Sequence, residues 1–292
     1  MTSQTAAPRE SEQSNVLVIG PRAAGPRARV SELWQRRTLI VFFGRRMLEK
    51  RYARTILGWI WLPLRPVLAV GSAAFLFGGV LRVPSDGVPY ILFLLVGLSS
   101  WLLFSNTAYW STRSLELSRS LLRRMYVPRL TVLIASAAPP VVDFVIYVII
   151  AGIAFACYAV ADGRLYLELG PATPLALLGL VLLLLMAFSI GVWTSVVATH
   201  ARDVRFTLRY ILGFWQFVTP VVFPLSAVPP GYRTVVVLNP ATAPMQMVRR
   251  GLLGIGEIPT TSLLVTAGTL ILFGAMGLRF FLRSEALALD NL

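Results

Sequence analysis

Six long apolar stretches, nearly free of charge, alternate along this chain with shorter segments that hold almost all of its positive charge. Few folds tolerate that pattern. A bilayer core takes roughly 20 apolar residues to cross as a helix, and every backbone polar group of a crossing segment must be satisfied within the protein. The stretches near 59–82, 90–110, 130–158, 173–198, 206–228 and 261–282 meet that requirement. With 56% hydrophobic residues and a mean hydropathy of +0.71, the composition exceeds that of a globular domain. The expectation is an all-α membrane protein with six transmembrane helices.

Six crossings leave both ends on one side. Of the 27 Lys and Arg residues, 21 fall on the side of the termini and 5 on the other, with Arg65 inside the first span. Because basic residues are retained in cytoplasmic loops, both termini are expected in the cytoplasm. The net charge of +14 then belongs to topology and to contact with anionic lipid, so nucleic acid is not an expected partner.

Arginine supplies all of the basic residues but Lys50, a bias attributed to a GC-rich genome. A phosphate-cradling loop of the G-x-x-x-x-G-K-[ST] type needs its lysine after a run of glycines. Lys50 instead sits in Leu48-Glu49-Lys50-Arg51, so a nucleotide-hydrolysing loop of that kind is absent. One histidine, His200, and one cysteine, Cys157, cannot form a Cys/His metal cluster or a disulfide. The 13 acidic residues form no constellation for group transfer. The chain is expected to hold no catalytic residue, metal or cofactor of its own, and ATP-driven work requires another polypeptide.

Residues 1–29 are polar, rich in Ser, Ala, Pro, Gly and Arg, lack the apolar core of a secretory signal, and are expected to be disordered. Residues 30–55 form an amphipathic interface helix. Leu33, Trp34, Ile40, Val41, Met47 and Leu48 share one arc of a helical wheel, while Arg36, Arg45, Arg46 and Lys50 point elsewhere. Such a helix lies along the inner membrane surface, and Arg37 and Arg51, which share the apolar arc, have to snorkel. Residues 56–292 carry the six spans.

Within them, residues 113–129 form a basic loop that begins helically at Arg113 and stops before Pro128, since a residue preceding proline is pushed out of the helical region. Residues 224–260 hold Pro224, Pro229, Pro230, Pro240, Pro244 and Pro259 yet stay mostly apolar. That mixture predicts short re-entrant helices between spans five and six. Arg249 and Arg250 are then expected at the outer mouth, touching lipid headgroups or an anionic group such as a pyrophosphate.

Aromatic residues crowd spans two and five, among them Trp101, Phe104, Tyr210, Phe214 and Phe217. They suit either the headgroup belt or a path for sugar rings, whose C–H faces stack on aromatic rings. Tyr210, Phe214 and Phe217 are the candidates for lining a channel. Asp143, a carboxylate within span three, is a functional candidate because charge is costly in a bilayer. Arg65 is one candidate partner for it, though at a depth differing by roughly 10 Å; a structural hydrogen bond near Pro139-Pro140 is the other reading.

Arg51-Tyr52-Ala53-Arg54-Thr55-Ile56-Leu57-Gly58-Trp59-Ile60-Trp61, followed by Pro63 and Pro66, resembles the signature opening the first span of ABC exporter permeases of the polysaccharide type. Further pieces follow in order. Val83-Pro84-Ser85-Asp86-Gly87 resembles the family's first external turn, and Leu121-Leu122-Arg123-Arg124-Met125-Tyr126-Val127-Pro128 its cytoplasmic loop after span two. Arg202-Asp203-Val204-Arg205, Thr219-Pro220-Val221-Val222-Phe223-Pro224, Leu238-Asn239-Pro240 and Arg250-Gly251-Leu252-Leu253-Gly254 complete the series, over about residues 33–292. Arg65 departs from the family, which usually has an uncharged polar residue there, and the tail after Phe281 follows it loosely.

The resemblance implies a multi-pass permease of the bacterial cytoplasmic membrane that exports a lipid-linked polysaccharide such as O-antigen, capsule or teichoic acid. It implies a channel formed by a second copy of the chain and two ATP-binding-cassette subunits, which bind the ATP and Mg. Residues Arg119, Arg123, Arg124, Met125, Tyr126 and Pro128 then make the contact with the motor; without that partner the same loop reads as a solvated turn held by anionic lipid. Trp34, Arg45, Arg46, Tyr52, Leu57, Gly58 and Trp61 belong to the interface helix and first-span motif. A permease for a drug or a simple lipid, and a membrane-embedded transferase, are the alternatives.

Overall fold

The structure is a computed structural model. It describes residues 37–52, 60–122, 124, 127–201 and 203–287, with side chains for all of these except Tyr52 and 283–287. Apart from Arg37 they belong to a single unit, Thr38–Leu292.

Regular structure among the described residues is helical throughout: α1 (Arg37–Tyr52), α2 (Trp61–Ala73), α3 (Tyr90–Leu122), α4 (Arg129–Ala135), α5 (Ala138–Asp162), α6 (Thr173–Ala198), α7 (Asp203–Val218), α8 (Pro230–Val237), α9 (Thr242–Leu253), α10 (Thr260–Thr269) and α11 (Ala275–Leu287). A π-helical turn, Ala74–Val80, prolongs α2, and another, Leu270–Gly274, joins α10 to α11. Among the described residues, five helical segments are long and apolar enough to cross a membrane: Trp61–Val80, Tyr90–Leu122, Arg129–Asp162, Thr173–Ala198 and Thr260–Leu282.

The stretch 206–228, expected as a single crossing helix, is not among them. Helix α7 has 16 residues, about 24 Å at 1.5 Å per residue, and a bilayer core is about 30 Å thick. It ends at Val218 because Thr219 precedes Pro220, which has no N–H to give and crowds the residue before it. The Thr219 hydroxyl folds back to donate to the Trp215 carbonyl at 2.9 Å.

Helix α3 is the axis of the unit. Of its most apolar window 78% is buried, against 11% for Trp61–Val80 and for Arg129–Asp162. Its sequence explains this, since Gly97, Ser99, Ser100, Ser105, Thr107, Ala108, Ser111, Thr112 and Ser114 are small and let neighbouring backbones approach. The Thr107 hydroxyl is buried without a hydrogen-bond partner among the described residues, whereas others are satisfied locally or across helices. Ser100 donates to the Val96 carbonyl at 2.8 Å and Thr112 to that of Ala108 at 2.8 Å, while Ser111 meets Ser136 at 2.9 Å and Thr112 meets Thr194 at 2.6 Å.

Residues 113–122 differ from expectation: they do not begin a separate short helix but continue α3, whose 33 residues span about 50 Å. Nothing between Tyr90 and Leu122 breaks the helix, as the first proline downstream is Pro128. The region 224–260 does contain short helices, a single 3₁₀ turn Leu225–Ala227 followed by α8 and α9. Helix α9 is buried against α6. A Cβ on Gly251 would stand 2.5 Å from the Ala176 nitrogen, and one on Gly179 would stand 2.6 Å from the Pro244 carbonyl oxygen.

Helix α1 also differs from its expected arc. Phe43 and Met47 are buried with Val127, Val132 and Ala135, whereas Val41 and Phe42 are exposed. The apolar face of α1 therefore packs on protein, on α4 and the end of α3.

Candidate functional site

Helices α3 and α7 lie antiparallel along a seam that can be followed residue by residue. Nearest the Leu122 end of α3, Arg205 Nη1 donates to Glu116 Oε1 at 2.7 Å, and Arg113 Nε lies 4.0 Å from Glu116 Oε2. One turn along α7 and two along α3, the guanidinium groups of Arg113 and Arg209 lie 5.6 and 5.1 Å from the centre of the Tyr109 ring. Arg113 Nη1 also donates to the Tyr109 hydroxyl at 3.3 Å.

Farther along, Trp215 packs edge-on against both Trp101 and Phe104, with ring centres 6.0 and 5.4 Å away. Its indole N–H donates to Asn239 Oδ1 at 2.9 Å, and Asn239 Nδ2 donates to Thr219 Oγ1 at 2.8 Å. Asn239 thus fixes the end of α7 against the start of α9.

At the Tyr90 end, the chain beyond α7 has carbonyls that its prolines leave without helical donors. Arg249 supplies them. Its Nη1 donates to the Pro220 carbonyl at 2.5 Å and to that of Phe223 at 3.4 Å, and its Nη2 to that of Val221 at 2.6 Å. The guanidinium lies 3.9 Å from the centre of the Phe93 ring, and the side chain is 1% exposed. Arg249 is therefore enclosed and committed to backbone, not placed at a surface where it meets a headgroup or pyrophosphate. Its neighbour Arg250 is exposed and donates to the Gly256 carbonyl at 3.2 Å. Tyr90 adds a bond from its hydroxyl to the Val222 carbonyl at 2.7 Å.

The face of α7 adjoining Arg205 carries the channel candidates. Tyr210, Phe214 and Phe217 are 79%, 72% and 57% exposed and, with Phe206 at 56%, follow one face at helical spacing. Leu208 and Leu212 turn into the unit instead.

Asp143 is the sixth residue of α5 and pairs with Arg51 of α1, Nη2 to Oδ2, at 2.6 Å. Arg65, one expected partner, lies over the Trp61 ring at 5.6 Å. Arg51 falls on the apolar arc of α1 because that arc faces this carboxylate and the Trp110 ring, 5.8 Å away. Next to it, Lys50 Nζ donates to the Leu117 carbonyl at 2.6 Å; burial, and then the nearby Arg46 charge, lowers its pKa from the usual lysine value. Arg45 is exposed and pairs with Glu49 at 3.1 Å. In the expected coupling segment Arg119 and Arg124 are exposed, and Pro128 stands immediately before α4. Trp34, Leu57, Gly58, Arg123, Met125 and Tyr126 lie outside the described residues, as does the Tyr52 side chain.

Glu116, which joins Arg205 and Arg113, is the residue of this cluster that sequence reasoning passed over. A lone carboxylate between Arg113 and Arg119 was the available signal.

Residues 38–253 match the family described as ABC-2 type transporter. The chain's relatives include export and transport proteins. The O-antigen export system permease protein RfbA of Myxococcus xanthus is 26% identical over 204 residues, 68% of this chain and 73% of that protein. The polysialic acid transport protein KpsM of Escherichia coli is 22% identical over 209 residues, covering 71% and 78%. An O-antigen export system permease protein RfbA of Klebsiella pneumoniae is 21% identical over 243 residues, covering 83% and 90%.

Proposed function

The chain belongs to the ABC-2 type transporter family, and from that premise we propose that it is the permease of an exporter that moves a lipid-linked polysaccharide out of the bacterial cytoplasm. Two copies face one another in the cytoplasmic membrane. Two ATP-binding subunits, holding ATP and Mg, dock on the inner side and drive the cycle.

In this reading the chain crosses six times with both ends inside. The fifth crossing is α7 together with the broken segment behind it, whose carbonyls Arg249 satisfies, which makes irregular backbone tolerable at membrane depth. Helices α8 and α9 then dip into the outer leaflet and return. The exposed residues Arg119 and Arg124 lie where the motor would press.

The observation that carries the glycan reading is the aromatic ladder Phe206, Tyr210, Phe214 and Phe217, exposed on a helix whose other face is packed. Paired across two copies, such ladders make a continuous wall on which sugar rings can stack and slide. A path for a drug or simple lipid calls for a smoother aliphatic groove.

Reconstitution with the ATP-binding partner in proteoliposomes tests the reading. Export of lipid-linked polysaccharide is expected to require ATP and both subunits, and Arg123→Glu with Arg124→Glu is expected to uncouple hydrolysis from export without preventing membrane insertion. Transport by the isolated chain, or hydrolysis by it alone, contradicts the proposal.

A further inference from the structure

We propose that Arg113, Arg205 and Arg209, gathered around Tyr109 and Glu116, form a binding site for the phosphate of a lipid phosphate or diphosphate. This deepens the export reading above and rests on it. Three guanidinium groups share one carboxylate here, leaving an excess of two positive charges. Arg205 bonds Glu116 at 2.7 Å, Arg113 is 4.0 Å from it, and Arg209 contacts only the Tyr109 ring face, at 5.1 Å, among the described residues. The Arg113 and Arg209 guanidinium carbons flank one ring, so they are at most about 11 Å apart, given 5.6 and 5.1 Å to its centre.

Donors remain to be used. The Nε–H groups of Arg113 and of Arg205 are buried and have no hydrogen-bond partner. Water could accept from them but would leave the like charges uncompensated. An anion does both, and guanidinium forks match phosphate oxygens geometrically.

Depth narrows the class of anion. Tyr90 and Tyr109 are 19 residues apart in one helix, about 29 Å along its axis and close to the thickness of a bilayer core. With the Tyr90 end of α3 at one boundary, the cluster lies at the other, among headgroup phosphates. The exposed ladder of α7 adjoins it, since its first ring, Phe206, lies 5.0 Å from the Arg205 guanidinium, and Tyr210, Phe214 and Phe217 continue that face. A lipid-borne phosphate held at the arginines would leave its sugar chain lying against that ladder.

The test uses the complete transporter in phosphatidylcholine nanodiscs, with bound lipid read by native mass spectrometry. The probes are a polyprenyl diphosphate, the matching polyprenol, phosphatidylglycerol and inorganic pyrophosphate. Wild type is expected to retain the polyprenyl diphosphate and not the polyprenol. Arg209→Gln, at an exposed side chain with little bearing on folding, should lower that affinity several-fold. Combined with Arg113→Gln the loss should reach about tenfold or more, while Arg209→Lys keeps part of the binding. Equal retention of polyprenyl diphosphate by wild type and the double variant overturns the site and leaves the export reading standing. Arginine-dependent binding of phosphatidylglycerol, with no binding of the polyprenyl diphosphate, keeps the phosphate site but assigns it to membrane headgroups and removes support from the export reading. Arginine-dependent binding of inorganic pyrophosphate as tight as that of the lipid overturns the lipid assignment.

Discussion

Arg51 on α1 and Asp143 on α5 form an ion pair at 2.6 Å, with side chains 15% and 16% exposed, and it fastens the peripheral helix to the spanning bundle. Asp143→Ala leaves the Arg51 charge in a poorly solvated place, a loss of about 3 kcal/mol by comparison with other enclosed pairs. The melting temperature of the purified protein in detergent should fall accordingly. The exchange Arg51→Asp with Asp143→Arg should recover much of the loss, and an unchanged melting temperature in Asp143→Ala would remove this fastening role.

Helix α6 was legible to the residue, 173–198 against Thr173–Ala198, and α10–α11 at its start, 261 against Thr260, though α11 runs on to Leu287, because long apolar runs without internal proline leave a bilayer segment one choice. Legibility failed where partners distant in sequence decide. The arc of α1 was misjudged because Phe43 and Met47 pack on Val127 and Val132, 80 or more residues away. Arg249 looked like a surface cation, since nothing near it in sequence announces that the carbonyls of Pro220 and Val221, 29 and 28 residues earlier, have lost their own donors. For α7 the signal was present in Thr219-Pro220, and apolar composition outweighed it.

Arg249 holds those carbonyls with a planar fork that lysine cannot reproduce. Arg249→Lys should therefore lower stability by about 2 kcal/mol, as expected for losing charge-assisted bonds to buried acceptors, and Arg249→Met by more. Arg250→Gln, at an exposed position, should change it little. Yield and melting temperature of the purified protein measure both; a fully stable Arg249→Met protein would contradict the clamp.

Gly97 lets the chain after α7 touch α3, since a Cβ there would lie 2.5 Å from the Val221 carbonyl oxygen and 3.0 Å from Arg249 Nη2. Gly97→Ala must push the two apart, at a cost of about 1–3 kcal/mol. Gly152 in α5 has nothing within 4 Å of its would-be Cβ, so Gly152→Ala should be neutral or stabilising by up to about 1 kcal/mol through helix propensity. Parallel thermal unfolding of the two variants checks the contrast, and equal effects would mean that the approach of α3 to the chain after α7 is not tight.

Phe214 and Phe217, 72% and 57% exposed, face away from the unit that α7 helps to build, so removing their rings should leave folding intact. In the export reading they touch the passing glycan. If each ring contributes about 1 kcal/mol of stacking, Phe214→Ala with Phe217→Ala should slow export roughly thirtyfold while the subunits still assemble and ATP hydrolysis continues. Trp at both positions should preserve most of the rate, because stacking needs an aromatic face and not a particular ring. Flux of labelled polysaccharide into proteoliposomes, measured beside phosphate release, separates this from a coupling defect. Unchanged flux in the double alanine variant would take α7 out of the path and return its aromatic face to the lipid.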